Sequence, residues 1–333
     1  MMTARNRLSL VLGLLVLSVS GCTFRPETPA LSFDVEPLTA ARIRVSAILG
    51  WASYEWTFGD EIAVAGRTAT HTYDAPGEYT INLKAISLDG SPAYAHTTVT
   101  VRRDIYVSED SSLPRDYATV QLAVEAAEPG DMLLIQGEHT ENIVIDKALT
   151  LRGPCTLTSA TANPAVHVSV DGVTLQEVTF AGAGEEATAG GGLRLTSADI
   201  EVIECAFENH SGHSGGAVYV MESRATFTAC VFSGNEADVD GGAVYCEGDR
   251  SFPAFIGCRF SDNRANAGGG IAIRATTAVA LHATPLRVED SVFERNLAGS
   301  ALAGGAVHIG HSCRAALAGN TYSANGPLDV VFE

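Results

Sequence analysis

The sequence predicts an all-β protein: a small β-sandwich followed by a right-handed parallel β-helix that opens with a short capping helix. Three observations carry this. One phrase recurs five times in the second half, short runs of alternating apolar and polar residues fill the first third, and one brief stretch between them has helical spacing.

The recurring phrase is a Gly-Gly-small-aliphatic strand: GGGLRL from Gly190, GGAVYV from Gly215, GGAVYC from Gly241, GGGIAI from Gly268 and GGAVHI from Gly304. Between and after these lie CAFENH from Cys205, CVFSGN from Cys230, CRFSDN from Cys258, SVFERN from Ser291 and NTYSAN from Asn320. A recurrence of roughly 25 to 36 residues marks a stacked repeat, in which no unit buries its own apolar face. Val218 and Val220 alternate with Ala217 and Tyr219, the period of a strand with one buried face. Coils stacked about 4.8 Å apart then pair as parallel strands. Phe207, Phe232, Phe260, Phe293 and Tyr322 are expected to form an internal aromatic ladder. Asn235, Asn263, Asn296 and Asn325 are expected to stack beside it, with amides bonded along the axis and their backbones supplying the positive φ of the corners. His210 stands where the first of these asparagines belongs.

The alternation of GGA(V/I) with FxxN from Gly190 to Asn325 resembles the repeats of the polymorphic outer-membrane proteins, bacterial surface β-helices associated with adhesion. The chain departs from them in having no room for a C-terminal membrane β-barrel of at least about eight strands, so its membrane attachment is expected elsewhere.

Arg5 and Arg7 precede an apolar run from Leu8 to Val19, too short to span a bilayer, and Ser20, Gly21 and Cys22 follow. Val19-Ser20-Gly21-Cys22 resembles a bacterial lipobox. The resemblance implies removal of residues 1–21, acylation of Cys22 and a tether over 22–30. With Thr23 after the cysteine, it implies a lipid-anchored protein at the outer membrane or cell surface. Lys plus Arg number 21 against 39 Asp plus Glu, a net charge of −18 that repels phosphate backbones, so no nucleic-acid partner is expected. The expected partners are the membrane, through the lipid, and a polysaccharide or surface protein.

Residues 31–103 hold the alternating runs Tyr54–Asp60 and Tyr79–Lys84, the second after a Pro76-Gly77 turn. Strands of this length predict an antiparallel sandwich. YEWTFGDE followed by HTYDAPGEYTINLKA resembles a PKD domain, an immunoglobulin-like module, with Glu61 where that family usually has Gly. Trp56 alternates with Tyr54 and Phe58 and is expected in the core.

Residues 104–116 are expected to be a linker, and 117–333 the β-helix. Val120, Ala123, Val124 and Ala127 recur at helical spacing before Pro129-Gly130, which ends the helix. The stretch from Tyr117 to Asp146 resembles the opening of pectin-lyase-like β-helices, where such a helix covers the first coil. An open end exposes core and strand edges, which is the physical reason for a cap. About eight coils are expected from Met132 onward, on the order of 40 Å of stack.

Pectin-lyase-like folds include lyases, hydrolases and esterases, whose chemistry needs paired carboxylates or carboxylate-held calcium on one outer face. The outward positions of the Gly-Gly strands are Arg194, Tyr219, Tyr245, Ala272 and His308 in one row, with Thr196, Met221, Glu247, Arg274 and Gly310 in the next. Glu247 is the one carboxylate in these rows, so no catalytic residue is assigned. The mixture of Arg194, Tyr219, Tyr245, Glu247, Arg274 and His308 instead suits a ligand-binding strip for sugar rings or a protein surface; the alternative is cross-strand pairing that stabilises the sheet. Asp238-Val239-Asp240-Gly241 resembles a fragment of a calcium loop without the remaining ligands, so no cofactor is expected, with calcium at Asp238 and Asp240 as the alternative. His210 with His213 and His308 with His311 lack further ligands and read as surface loop residues. Cys205, Cys230, Cys258 and Cys246 read as small buried hydrophobes, since stacked side chains point in parallel and suit a disulfide poorly, while Cys155 and Cys313 stay open. The function expected is a non-catalytic adhesion, glycan-binding or architectural module, the alternative a carbohydrate-active enzyme.

Overall fold

The computed structural model describes residues 30–38, 42–113, 115–182, 187–276 and 285–333. The lipobox-like segment, Cys22 included, lies outside the described residues.

The first unit is a two-layer antiparallel sandwich. One sheet runs Phe33–Pro37, Arg42–Ala47, Thr68–Thr72; the other runs Ala63–Ala65, Ser53–Thr57, Gly77–Ile86, Pro92–Val101. Alternation sends Val45, Trp56, Phe58, Ile81 and Leu83 inward, all fully buried. Trp56 is a core residue: its indole meets Phe33 edge-on at 5.1 Å, and its Nε1 donates to the Gly66 carbonyl at 2.7 Å. Glu61 has φ +69°, which explains why the related domains favour Gly there.

Residues 104–116, expected to be a linker, contain a strand. Asp104–Ser108 pairs in parallel with Met132–Thr140 because Ile105 and Val107 alternate inward and are buried in the first coil. The helix α1, Val120–Ala126, lies on this coil and buries Val120, Ala123 and Val124 in the same core. Its first turn is held by Thr119, whose hydroxyl accepts from Leu122 N, and by Glu141, whose carboxylate oxygens accept from Val120 N at 2.8 Å and Gln121 N at 3.0 Å. Buried His139 lies 3.6 Å from Glu141. The adjacent Glu141 carboxylate raises the histidine pKa above its ordinary value, against the effect of burial. Burial acts to raise the Glu141 carboxyl, but His139 and the helix amides outweigh it and hold its pKa low. The histidine therefore contributes stability that is complete below its ordinary pKa and lost as pH rises through the raised one. The carboxylate contributes stability present above its ordinary pKa and lost as pH falls through the lowered one.

The rest is a right-handed parallel β-helix. An eight-stranded parallel sheet begins at Ile143–Ile145 and ends at Leu328–Phe332, one strand per coil, in agreement with the expected number of coils. A second sheet carries the other walls, and the coils stay in register from one repeat to the next. Phe207, Phe232, Phe260 and Phe293 are fully buried and stack with their neighbours at 4.5 to 4.9 Å between ring centroids. Phe180 extends the ladder at one end and Tyr322 at the other.

The asparagines lie above one another and are bonded as expected. Asn263 Nδ2 donates to Asn296 Oδ1 at 2.8 Å and to the Phe232 carbonyl at 3.0 Å, while its Oδ1 accepts from Asn235 N and Asn235 Nδ2. The expectation that they supply the bend is corrected. The left-handed backbone belongs to the residue before each asparagine, Gly234, Asp262, Arg295 and Ala324, and to Asn209 before His210. Asparagine is there because a carboxamide is both donor and acceptor, and so can satisfy the coil on either side.

His210 is not a surface loop residue: it is 3% exposed and terminates this ladder, its backbone N donating to Asn235 Oδ1. Burial depresses its pKa to about 4, against a smaller opposing effect of the Phe180 backbone. The unfolded chain therefore binds the extra proton, and the histidine's contribution to stability is lost as pH falls from 6.5 towards 4. Unfolding experiments at pH 7.5 and pH 5 should show the wild type losing about 2 kcal/mol that His210→Asn does not lose. Equal losses in both proteins would contradict the assignment.

The cysteine row is more than apolar filling. Cys230 Sγ donates to the Val202 carbonyl at 3.4 Å and Cys258 Sγ to the Phe227 carbonyl at 3.4 Å; farther along the row Ser291 Oγ accepts from Cys258 N and Asn320 Nδ2 donates to the Val288 carbonyl. The thiols form a second polar ladder. All six cysteines among the described residues are free. Burial pushes the thiols of Cys155 and Cys205 up to about 12, so both stay protonated at neutral pH.

Candidate ligand-binding face

The outer face of the eight-stranded sheet holds the residues singled out from the repeats. Register places His167, Arg194, Tyr219, Tyr245, Ala272 and His308 in one row, and Thr196, Met221, Glu247 and Arg274 in the next. Each side chain projects from a strand bonded on both sides, which fixes its position.

The structure brings four of the six strip residues, Arg194, Tyr219, Tyr245 and Glu247, into direct contact with one another and covers much of the row. The Arg194 guanidinium lies 5.6 Å from the Tyr219 ring centre, and the Tyr219 and Tyr245 rings are 5.7 Å apart and tilted by 50°. Tyr219 donates its hydroxyl hydrogen to Glu247 Oε2. Burial, reinforced by Glu247, raises the pKa of both tyrosines, so both stay protonated. Their exposure is only 9% and 7%, and His308 is at 2%, so the ring faces are not open to solvent as a stacking platform would be. The accessible parts are Arg194 and Glu247, both half-buried, and Arg274, which is exposed.

Two acids join this face from outside the two rows. Asp240 precedes the Gly241 corner, and its buried carboxylate is gripped by Arg274 through Nε at 2.8 Å and Nη2 at 3.2 Å. Burial raises the Asp240 pKa, and Arg274 partly offsets that. Glu333 comes from one coil farther on and places Oε1 3.1 Å from His308 Nε2, off the line of a hydrogen bond. His308 is therefore also no surface loop residue. Strand periodicity did not identify Asp240 or Glu333 as members of this face: one sits on a corner, and the other follows the last strand. The spacing of Asp240 one residue before a Gly-Gly corner is the one signal that pointed to it.

Asp240 is thus committed to Arg274, and Asp238 is exposed, 4.0 Å from His213. Among the described residues no group of three or more His, Cys, Asp and Glu is placed to hold a metal ion. No helix among them is long and apolar enough to cross a membrane.

Comparison with known proteins follows the two units. Residues 39–102 match the PKD domain family, and residues 153–326 match the family described as right handed beta helix region. No curated protein matches the sequence. Among solved structures, the PKD1 domain of the Vibrio cholerae metalloprotease PrtV aligns at 19% identity over 22% of this chain and 96% of its own, with a TM-score of 0.21. A pectin methylesterase in complex with a hexasaccharide aligns at 12% identity over 68% of this chain and 79% of its own, with a TM-score of 0.39. A family 28 exopolygalacturonase from Yersinia enterocolitica aligns at 9% identity over 91% and 98%, with a TM-score of 0.25. With more than half of its length inside the second family match, the chain belongs to the right-handed β-helix family.

Proposed function

We infer that the protein is an exported, lipid-anchored, non-catalytic module that binds a glycan or a surface protein on the outer face of its eight-stranded sheet. The observation that supports this most is the line of hydrogen-bonding groups on rigid strands: Arg194, Glu247 and Arg274 reach solvent over a buried tyrosine pair. Sugar hydroxyls both donate and accept, and such a mixed row offers both. The lipobox-like Val19-Ser20-Gly21-Cys22 supports anchoring, with acylated Cys22 at the outer membrane or cell surface and the PKD-like sandwich as spacer. The likeness of the repeats to the polymorphic outer-membrane proteins supports a role in adhesion. A metabolic lipid label should reach the parent protein and not Cys22→Ala; equal labelling of both excludes the anchor.

One observation favours a second reading, a carbohydrate-active enzyme. Asp240 pairs with Arg274, Glu333 lies beside His308, and Glu247 is in register with Arg274 on the neighbouring strand, so this face has more than the single carboxylate that the two rows contain. Acid–base chemistry on a sugar needs two such groups. A glycan array combined with assays for reducing ends and unsaturated products separates the two. Binding without turnover supports the module; product formation supports the enzyme.

A further inference from the structure

A different part of the molecule carries an independent inference. Where the sandwich meets the first coil there is a cleft of about 460 Å³, lined by Arg42 at the end of one sandwich strand, by Arg102 and Arg103 at the junction, and by Tyr106 on the first coil. Two residues, Arg102 and Arg103, separate the last sandwich strand from the first strand of the helix, so the junction is short. Arg102 also packs across it, its Nε 2.9 Å from where a Cβ on Gly130 would sit.

These arginines are set apart by lining one recess together without a carboxylate partner among the described residues. Arg44, Arg152, Arg259, Arg264, Arg274 and Arg295 each lie within 4.0 Å of a carboxylate on another strand or coil, as expected in a chain of net charge −18. Among the described residues Arg42, Arg102 and Arg103 form no such pair, although Asp74 and Asp104 line the same cleft. Three guanidinium groups with no described carboxylate within 4.0 Å, lining one recess of ligand size beside a half-exposed tyrosine, form an arrangement that recognises anionic oxygens. We propose that this cleft binds a ligand group bearing two or more anionic oxygens, either phosphate or carboxylate. The site is separate from the sheet face and stands whether or not that face binds a glycan.

The test is calorimetric titration of the full chain at low ionic strength with pyrophosphate, a phosphate source, and with citrate, a carboxylate source. Binding of either is expected to weaken at least about tenfold in Arg42→Gln/Arg102→Gln/Arg103→Gln. It should be unchanged in Arg250→Gln, which alters an exposed arginine far along the stack, and stronger in Asp74→Asn, which removes a competing carboxylate. Which anion binds identifies the source. An unchanged thermal transition in the triple variant shows that the loss is not unfolding. No binding of either anion, or equal weakening by Arg250→Gln, would overturn the proposal.

Discussion

Asn263→Leu should destabilise the β-helix by about 4 kcal/mol, a large share of the stability of a typical domain. Leucine matches asparagine in branching and heavy-atom count, but its methyl groups are bulkier, so the loss combines stranded hydrogen bonds with overpacking of a fully buried site. The substitution leaves Asn235 N, one hydrogen of Asn235 Nδ2 and the Phe232 carbonyl without the partners they have in the buried ladder. Asn325→Leu should cost about half as much, because the last rung is itself only partly buried and the open end of the ladder can rearrange to let water replace the lost partner. Urea unfolding of the two variants checks this; equal, small losses would mean that the column is filler.

Gly242→Ala should be worse still, with loss of cooperative folding or at least about 4 kcal/mol. A Cβ at Gly242 would stand 2.4 Å from the Gly269 carbonyl oxygen and 2.5 Å from the Arg264 carbonyl oxygen, both backbone atoms fixed by the next coil. Only movement of the coil relieves such contacts. Gly257 gives the contrast: its φ is +62°, but nothing lies within 4 Å of a Cβ there, so Gly257→Ala should cost only the left-handed strain of about 1 kcal/mol. If calorimetry finds the two variants alike, close approach of backbones is not why the Gly-Gly pairs recur.

These contrasts also show how much was legible in the sequence. A stacked repeat makes register visible, because residues at the same place in successive phrases must be neighbours; hence Phe232 on Phe260, Asn235 on Asn263 and Tyr219 beside Tyr245 could all be read directly. The same periodicity misplaced the bend. Gly234, Asp262, Arg295 and Ala324 share no side-chain chemistry, so nothing in their identities marks the left-handed position, whereas the asparagine that follows each of them drew the assignment. The strand Asp104–Ser108 was hidden for a related reason, being a single coil strand with no repeat phrase around it. On the candidate face the rows were legible and their burial was not. Exposure of Tyr219, Tyr245 and His308 depends on what lies over the sheet, and strand alternation reports only the side of the sheet. Asp240 and Glu333 reach that face from a corner and from beyond a strand, positions to which a period of two residues does not apply.

We propose that the outer face of the eight-stranded sheet binds a ligand without transforming it. The most direct measurement is affinity for a glycan that the wild type binds, compared with Arg194→Gln/Glu247→Gln, together with product analysis after prolonged incubation. Arg194→Gln gives up the contact with the Tyr219 ring but no hydrogen bond of Nε, and glutamine at 247 can still accept from the Tyr219 hydroxyl. Affinity at least about tenfold weaker in the variant, an unchanged thermal transition, and intact glycan throughout are expected. Undiminished binding by the variant, or cleaved glycan with the wild type, would contradict it.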